Sequence, residues 1–393
     1  MTGFTWEELV DGLRPLGDLM RKRVPEGMRG DPAVAQESLR LLLAGVMRAS
    51  TDALVGDLDH PIFVPELNLA QNIFQPNADT IYKTAMVRPG GSYRLRGDRG
   101  TVRMIILAQL GPDTLRTGQH HPALHQYDFD ELSLDAGGMF DVLISPERPA
   151  GHGGDWWELH SQAEKFMLRI VGCDWGRERE PSFAIERLDA PAAKGRVGPD
   201  ELARRFAEIP TIARNCALAF PSKVQQLRDE GLVNRLKVVD FSQMTGLARQ
   251  SYYEGAYDLS DDEALISEVR IPGEVRYWSL LLTNELYETT DWYNNQSSLN
   301  DAQAHVDDDG VFRAVIAARD PGVHNWLDTS GHPRGAIQGR WVDTDDRPTP
   351  TLRKVALHEI LNALPAGTRF VSPPQRDRML RDRRAGALRR VIW

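Results

Sequence analysis

Between residues 80 and 110 short β-prone runs alternate with turn signals: 81–87, Pro89-Gly90-Gly91, 92–96, Gly97-Asp98-Arg99-Gly100, then 101–108. Strand–turn–strand–turn–strand at this spacing signals an antiparallel sheet. That feature confines the region to an antiparallel sheet, which 139–145, 164–171 and 182–188 extend. The pattern returns over 252–342, with strands expected at 263–271, 275–283, 311–319 and 336–342 around the turn Pro272-Gly273. The parts come in the same order. Ile81-Tyr82-Lys83-Thr84-Ala85 answers to Tyr252-Tyr253-Glu254-Gly255-Ala256, a strand ending Arg96-Gly97 to one ending Ile271-Pro272-Gly273, and 102–107 to 277–282. Identities are few, but order and length predict a duplicated module.

Helical spacing surrounds these blocks. Leu39, Leu42, Leu43, Val46, Met47 and Ser50 follow Asp31-Pro32, a start signal with proline at the first helical position. Residues 199–231 read as helices with Asp200 and Glu201 in a first turn, divided by Pro210 and Pro221; 351–364 and 374–390 read as helical again. The expected class is α+β and multi-domain. It comprises a helical N-terminal segment (1–58), a jelly-roll-like antiparallel β-sandwich module (59–190), a helical linker (191–235), a second such module (236–345) and a helical tail (346–393).

Composition narrows the partners. With 47 Lys and Arg against 56 Asp and Glu, the net charge of −9 argues against a broad nucleic-acid surface. The longest apolar run, 41–47, falls far short of the roughly 18 residues a membrane span needs. Trp6, Glu7, Glu8, Asp11 and Asp18 interrupt any leader-like apolar core, so a cytoplasmic protein is expected, in keeping with two cysteines. Cys216 falls in a helical pattern and reads as a small buried hydrophobe. GxGxxG, GxxxxGK[ST] and GxSxG are absent, which leaves nucleotide binding and the α/β-hydrolase route without their signatures.

Several phrases resemble a known family. Tyr277-Trp278-Ser279-Leu280, Asn294-Asn295-Gln296-Ser297-Ser298-Leu299-Asn300, Arg319-Asp320-Pro321-Gly322-Val323 and Asn325-Trp326-Leu327-Asp328 resemble DUF1214. Pro76-Asn77-Ala78-Asp79-Thr80-Ile81-Tyr82 is similar to the Asn-x-Asp-Thr-x-Tyr signature of the associated DUF1254 module. The resemblance implies jelly-roll-like β-sandwich modules plus helices in soluble bacterial proteins. It implies no reaction.

Four constellations carry candidate chemistry. Asn77, Asp79 and Tyr82 stand just before and within a strand; Asp79 would serve as acid or base with Tyr82 as partner, although Asn-x-Asp-Thr also builds Asx turns. Glu288 and Asp291 would split acid and base roles beside Trp292, Tyr293, Asn294 and Gln296, with Tyr253 adding to a small-molecule pocket. The alternative is a hydrogen-bonded loop between sheets. Asn325 and Trp326 occupy an expected loop tip, and Arg340 suits a carboxylate or sulfate. If Pro122 opens a helical turn, His121 and His125 share a face and Asp128 completes a metal site; solvated histidines are the competing reading. Between His152 and His160, Gly153-Gly154-Asp155-Trp156-Trp157 reads as a lid.

These features lead to an expected enzyme, a hydrolase or lyase, acting by acid/base chemistry on a small, partly apolar molecule at a cleft between the modules. A non-catalytic ligand-binding protein and a metal-dependent hydrolase or lyase are the alternatives; no other cofactor is expected. Seven Arg against two Asp over 376–390 read as a solvated helix face. The apolar end Val391-Ile392-Trp393 is expected to close an interface, with a homodimer as the assembly.

Overall fold

A computed structural model of the chain describes residues 3–240, 247 and 249–391. Two sandwiches of mostly antiparallel sheets form its body. In the first, the inner sheet runs Val64–Leu67, Thr80–Met86, Lys165–Val171, Met104–Leu110, His125–Asp128. Its outer sheet runs Asp155–Glu158, Met139–Ser145, Tyr93–Asp98, Ala184–Arg187. In the second, the inner order is Lys237–Val239, Gln250–Asp258, Arg334–Val342, Tyr277–Leu282, Ser298–Asn300, and the outer order Trp326–Asp328, Val311–Ala317, Glu263–Arg270, Thr351–Ala356. The two topologies coincide strand for strand. Even the single parallel pair falls at the same place in both outer sheets.

Period-two alternation explains the layering. In Lys165–Val171, Phe166, Leu168 and Ile170 enter the first sandwich core, where they meet Tyr93, Leu95 and Phe140 of the outer sheet. Lys165, Met167, Arg169 and Val171 face the other way. In Arg334–Val342, Ile337 and Trp341 enter the second core, and Gly339 lies between them because the Tyr253 ring leaves a Cβ there only 2.0 Å of room. The two inner sheets meet back to back through Met104, Ile106, Val171, Tyr277 and Val342. Four sheets thus stack in sequence, with the module joint at the centre.

Helices close one side. Pro32–Val55 starts at Asp31, whose Oδ1 accepts from the Ala33 N–H at 2.8 Å. It packs on Pro199–Ala217, and Gly45 permits the close approach: a Cβ there would lie 2.8 Å from the Ala213 carbonyl oxygen. Cys216 is buried in this helical core, as expected. Among the described residues no helix is long and apolar enough to cross a membrane.

Several local expectations are corrected. Pro210 lies inside its helix instead of dividing it, since packing by Ile209, Ile212 and Ala213 outweighs the lost hydrogen bond. The first part of 351–364 is the strand Thr351–Ala356, which pairs with Glu263–Glu268 and carries the second sandwich past residue 345. The expected lid contains the strand Asp155–Glu158, and Trp326 begins the strand Trp326–Asp328 rather than a loop tip. The tail helix Pro373–Arg389 is not simply solvated. Arg376 and Arg390 are buried; Arg376 pairs with Asp320 at 3.0 Å and donates to the Val323 carbonyl. Arg390 pairs with Glu180 and donates to the Ala78 and Asp79 carbonyls at 3.1 and 2.8 Å. The helix therefore straps the second module to the first within one chain. Of the expected apolar end, Ile392 and Trp393 lie outside the described residues.

Candidate functional site

Beyond their apolar joint the inner sheets line an open cavity of about 210 Å³. Its floor comes from strand positions already facing the joint: Tyr82, Lys165 and Arg169 of the first module, Tyr252, Gln338 and Arg340 of the second. Its rim comes from the segments that follow equivalent strands. The segment after Leu110 supplies Asp113 and His120; the segment after Leu282 supplies Tyr287. Phe74 and Phe220 make an aromatic wall, edge to face with centroids 5.9 Å apart, and Phe220 contacts Tyr287 and His120.

Backbone strain gathers here. Phe74, Gln75 and Tyr287, all on the lining, have φ of 58°, 55° and 68°. Left-handed conformations in such residues cost on the order of 1–3 kcal/mol each and persist only where surrounding packing imposes them.

The electrostatics are directional. Lys165 and Asp113 form a buried pair at 3.0 Å. Burial alone pushes the Asp113 carboxyl up, but Lys165 and Arg116 bring it below the usual carboxylate range. Burial likewise disfavours the Lys165 ammonium, and Asp113, with Glu66 and Asp52, more than restores it. On the opposite floor a hydrogen-bond chain holds Arg340. Lys223 donates to Glu254 at 2.7 Å, Tyr287 Oη donates to Glu254 at 3.1 Å, and Gln338 Nε2 donates to Tyr287 Oη at 2.9 Å. Arg340 Nη2 donates to Gln338 Oε1 at 2.8 Å. The guanidinium lies 5.3 Å from the Tyr252 ring centre. Arg340 is 4% exposed and makes no ion pair among the described residues, and its Nε is buried without a hydrogen-bond partner. Burial raises the Tyr252 phenol above its ordinary value, so it remains a donor.

Of the residues singled out from sequence, Tyr82, Arg340 and His121 meet at this cavity. The others lie elsewhere. Asp79 is buried in the joint, accepting from Tyr277 Oη at 2.7 Å and Asn300 Nδ2 at 2.6 Å; burial pushes its carboxyl up. Asn77 donates to the same Tyr277 oxygen at 2.8 Å. Glu288 is buried outside the lining, bonded to Asn284 and paired with Arg40 at 3.2 Å; burial raises its carboxyl to about 6, against the lowering effect of Arg40. Asp291 accepts from the Tyr293 and Asn294 N–H groups and shapes a turn that leaves Asn294 exposed. Trp292 and Tyr293 pack with Trp175 beneath the tail helix. Gln296 and Asn325 tie backbone carbonyls together, Arg376 lies over the Trp326 ring, and Tyr253 belongs to the second core.

The metal candidates do not share a helical face. Pro122 opens no helical turn, His125 begins a strand and stacks on Tyr127, and Asp128 pairs with Arg276. Among the described residues no three His, Cys, Asp or Glu side chains are grouped to hold a metal.

Sequence reasoning missed Lys165, Arg169, Asp113, Tyr252 and Gln338 as site residues. A signal was present: Lys165 and Arg169 sit four apart on one face of an otherwise apolar strand, KFMLRIV. Such charges are desolvated unless something polar faces them.

Comparison with known proteins places the architecture. The crystal structure of an uncharacterized protein from Burkholderia cenocepacia superposes with a TM-score of 0.82 at 25% identity, covering 90% of this chain and 97% of that one. A protein from Vibrio parahaemolyticus aligns at a TM-score of 0.47 and 13% identity, over 86% of this chain and 100% of that one. No curated protein matches. Within the second module, residues 258–339 match the family described as a protein of unknown function, DUF1214.

Proposed function

We propose that the chain binds a small organic anion in the cavity between its modules. The observation that carries this reading is Arg340: a buried guanidinium without an ion-pair partner among the described residues, oriented by a hydrogen-bond chain and lining the cavity. An unpaired buried cation is costly, and a bound anion offsets that cost. The aromatic wall suits an apolar body on the same molecule. The first module is then a DUF1254-like half of the binding unit, its Asn77-x-Asp79-Thr80 segment anchoring the joint rather than touching ligand.

Thermal denaturation with matched organic acids and amides tests the reading. A ligand at 100 times its Kd stabilises by about 2.7 kcal/mol. Acids are expected to raise the midpoint and amides not, with Arg340→Lys reducing the effect. Equal shifts by acids and amides would sink the proposal.

Acid/base turnover of the bound molecule, by hydrolysis or elimination, is a second reading. It is favoured by His120 at the wall, whose imidazole is held neutral by burial and then by the neighbouring His121, and by the Tyr82 phenol. A neutral imidazole accepts a proton and a phenol donates one. Product formation by the wild type that His120→Gln abolishes would support turnover; binding with unchanged ligand recovered would leave the binding role alone.

A further inference from the structure

The strand registers reveal a symmetry that the cavity uses. In the first inner sheet Tyr82 lies opposite Arg169; in the second, Tyr252 lies opposite Arg340. The strands correspond in the two modules, so one Tyr–Arg pair occurs twice, and all four side chains line the same cavity. Each arginine is felt electrostatically by both phenols, so the two pairs act on one region.

We infer that the ligand's head is a single carboxylate held from both sides, by Tyr82 and Arg169 of the first module and by Tyr252 and Arg340 of the second, with a flat apolar body against Phe74 and Phe220. This rests on the anion-binding reading above and deepens it. The donor set is the first argument. Two phenols and two guanidiniums offer hydrogens from two directions, and an ionised carboxylate accepts at about four lone-pair sites without donating. The charge balance is the second. Lys165, Arg169 and Arg340 face Glu66 and Asp113 on the lining, a surplus of one positive charge that one carboxylate neutralises. Size is the third. At about 210 Å³, below the roughly 300 Å³ of the smallest drug-sized sites, the cavity suits a body of about one ring or a short chain.

Calorimetric titration of the full chain with phenylacetate, phenylacetamide and glutarate tests the inference. Phenylacetate is expected to bind, the amide at least about 10-fold more weakly, and glutarate no more tightly than phenylacetate. Tyr82→Phe and Tyr252→Phe keep their rings and each should weaken phenylacetate by about 10-fold. Arg169→Lys and Arg340→Lys should weaken it as well, with circular dichroism confirming the fold of every variant. Losses confined to Tyr252→Phe and Arg340→Lys would overturn the two-sided head while leaving the anion site standing. Glutarate binding more tightly than phenylacetate would overturn the single-carboxylate assignment. No binding of either acid by the wild type at millimolar concentration would remove the anion-binding reading itself.

Discussion

The two modules share a strand order and a Tyr–Arg pair, yet they hold their arginines' surroundings by opposite means. Where the first sheet has Thr84, Met167 and Lys165, the corresponding positions of the second carry Glu254, Gln338 and Ala336. The first module satisfies its floor with a buried ion pair, Lys165–Asp113. The second uses a relay from Lys223 through Glu254, Tyr287 and Gln338 to Arg340. Ion pairs set charge; relays set direction. The shared strand order presents the Tyr–Arg donors twice, and the residues beside them differ: an ion pair in one half, a hydrogen-bond relay in the other.

The comparison can be broken most forcefully at the ion pair. Lys165→Met leaves the buried Asp113 with only the Arg116 guanidinium at 3.6 Å and should cost about 3–5 kcal/mol in urea unfolding, with much of that recovered when Asp113→Asn is added. A variant as stable as the wild type would show that the pair does not anchor the first floor. Gln338→Met, which gives the second floor the first floor's residue, breaks the relay at its centre. It should cost about 1–3 kcal/mol and weaken organic-acid binding, because Tyr287 and Arg340 each lose a partner. Unchanged binding would mean that the relay does not orient Arg340.

The two rim segments sharpen the contrast through pH. Asp113, lowered by its cation, contributes stability above its ordinary pKa that is lost as pH falls through the native value. Glu288, raised by burial from 4.5 to about 6, does the reverse: its contribution is full below pH 4.5 and is lost as pH rises through about 6. That rise is worth about 2 kcal/mol. Unfolding free energies of the wild type and Glu288→Gln between pH 4 and 7 should therefore diverge by about this amount, in favour of the variant at the higher pH. Parallel curves would refute the assignment. The smallest effect belongs to the outer sheets. The Arg94–Asp141 pair of the first is nearly half exposed, so Arg94→Ala should change stability by less than about 1 kcal/mol, and less still at high salt. Arg313, on the second sheet's counterpart of the Asp141 strand, is buried among Glu268, Asp307 and Asp309, and its loss should cost more.

Much of this architecture was legible because strands, turns and helix starts are local. The strand Met139–Ser145 was read at its exact bounds, and the Asp31-Pro32 start is the observed cap. The repeated strand order was visible in the order of parts even with few identities. The cavity was hidden because its residues come from many separated segments, and because Lys165 and Arg169 stand in runs whose alternate positions are pure core. Asp79, Glu288 and Gln296 look like chemistry in one dimension since acids and amides serve catalysis and loop tethering equally well. Only their partners distinguish the two uses. Thr351–Ala356 was read as helix because its apolar residues are too sparse to fix a period; the open edge of Glu263–Arg270 decides it.

The strap helix gives the chain an order of assembly. Every strand of both sandwiches precedes residue 357, whereas the buried arginines that tie the second module to the Ala78 and Asp79 carbonyls come from 376 onward. During synthesis at about 5–20 residues per second, N-terminal parts fold first. Each half can therefore complete its hydrogen-bonded sheets while the clasp is still inside the ribosome. A chain interrupted just before Pro373 carries both sandwiches and the joint between their inner sheets, but not the clasp that spans them from outside. The clasp across the two sandwiches is the last stitch made.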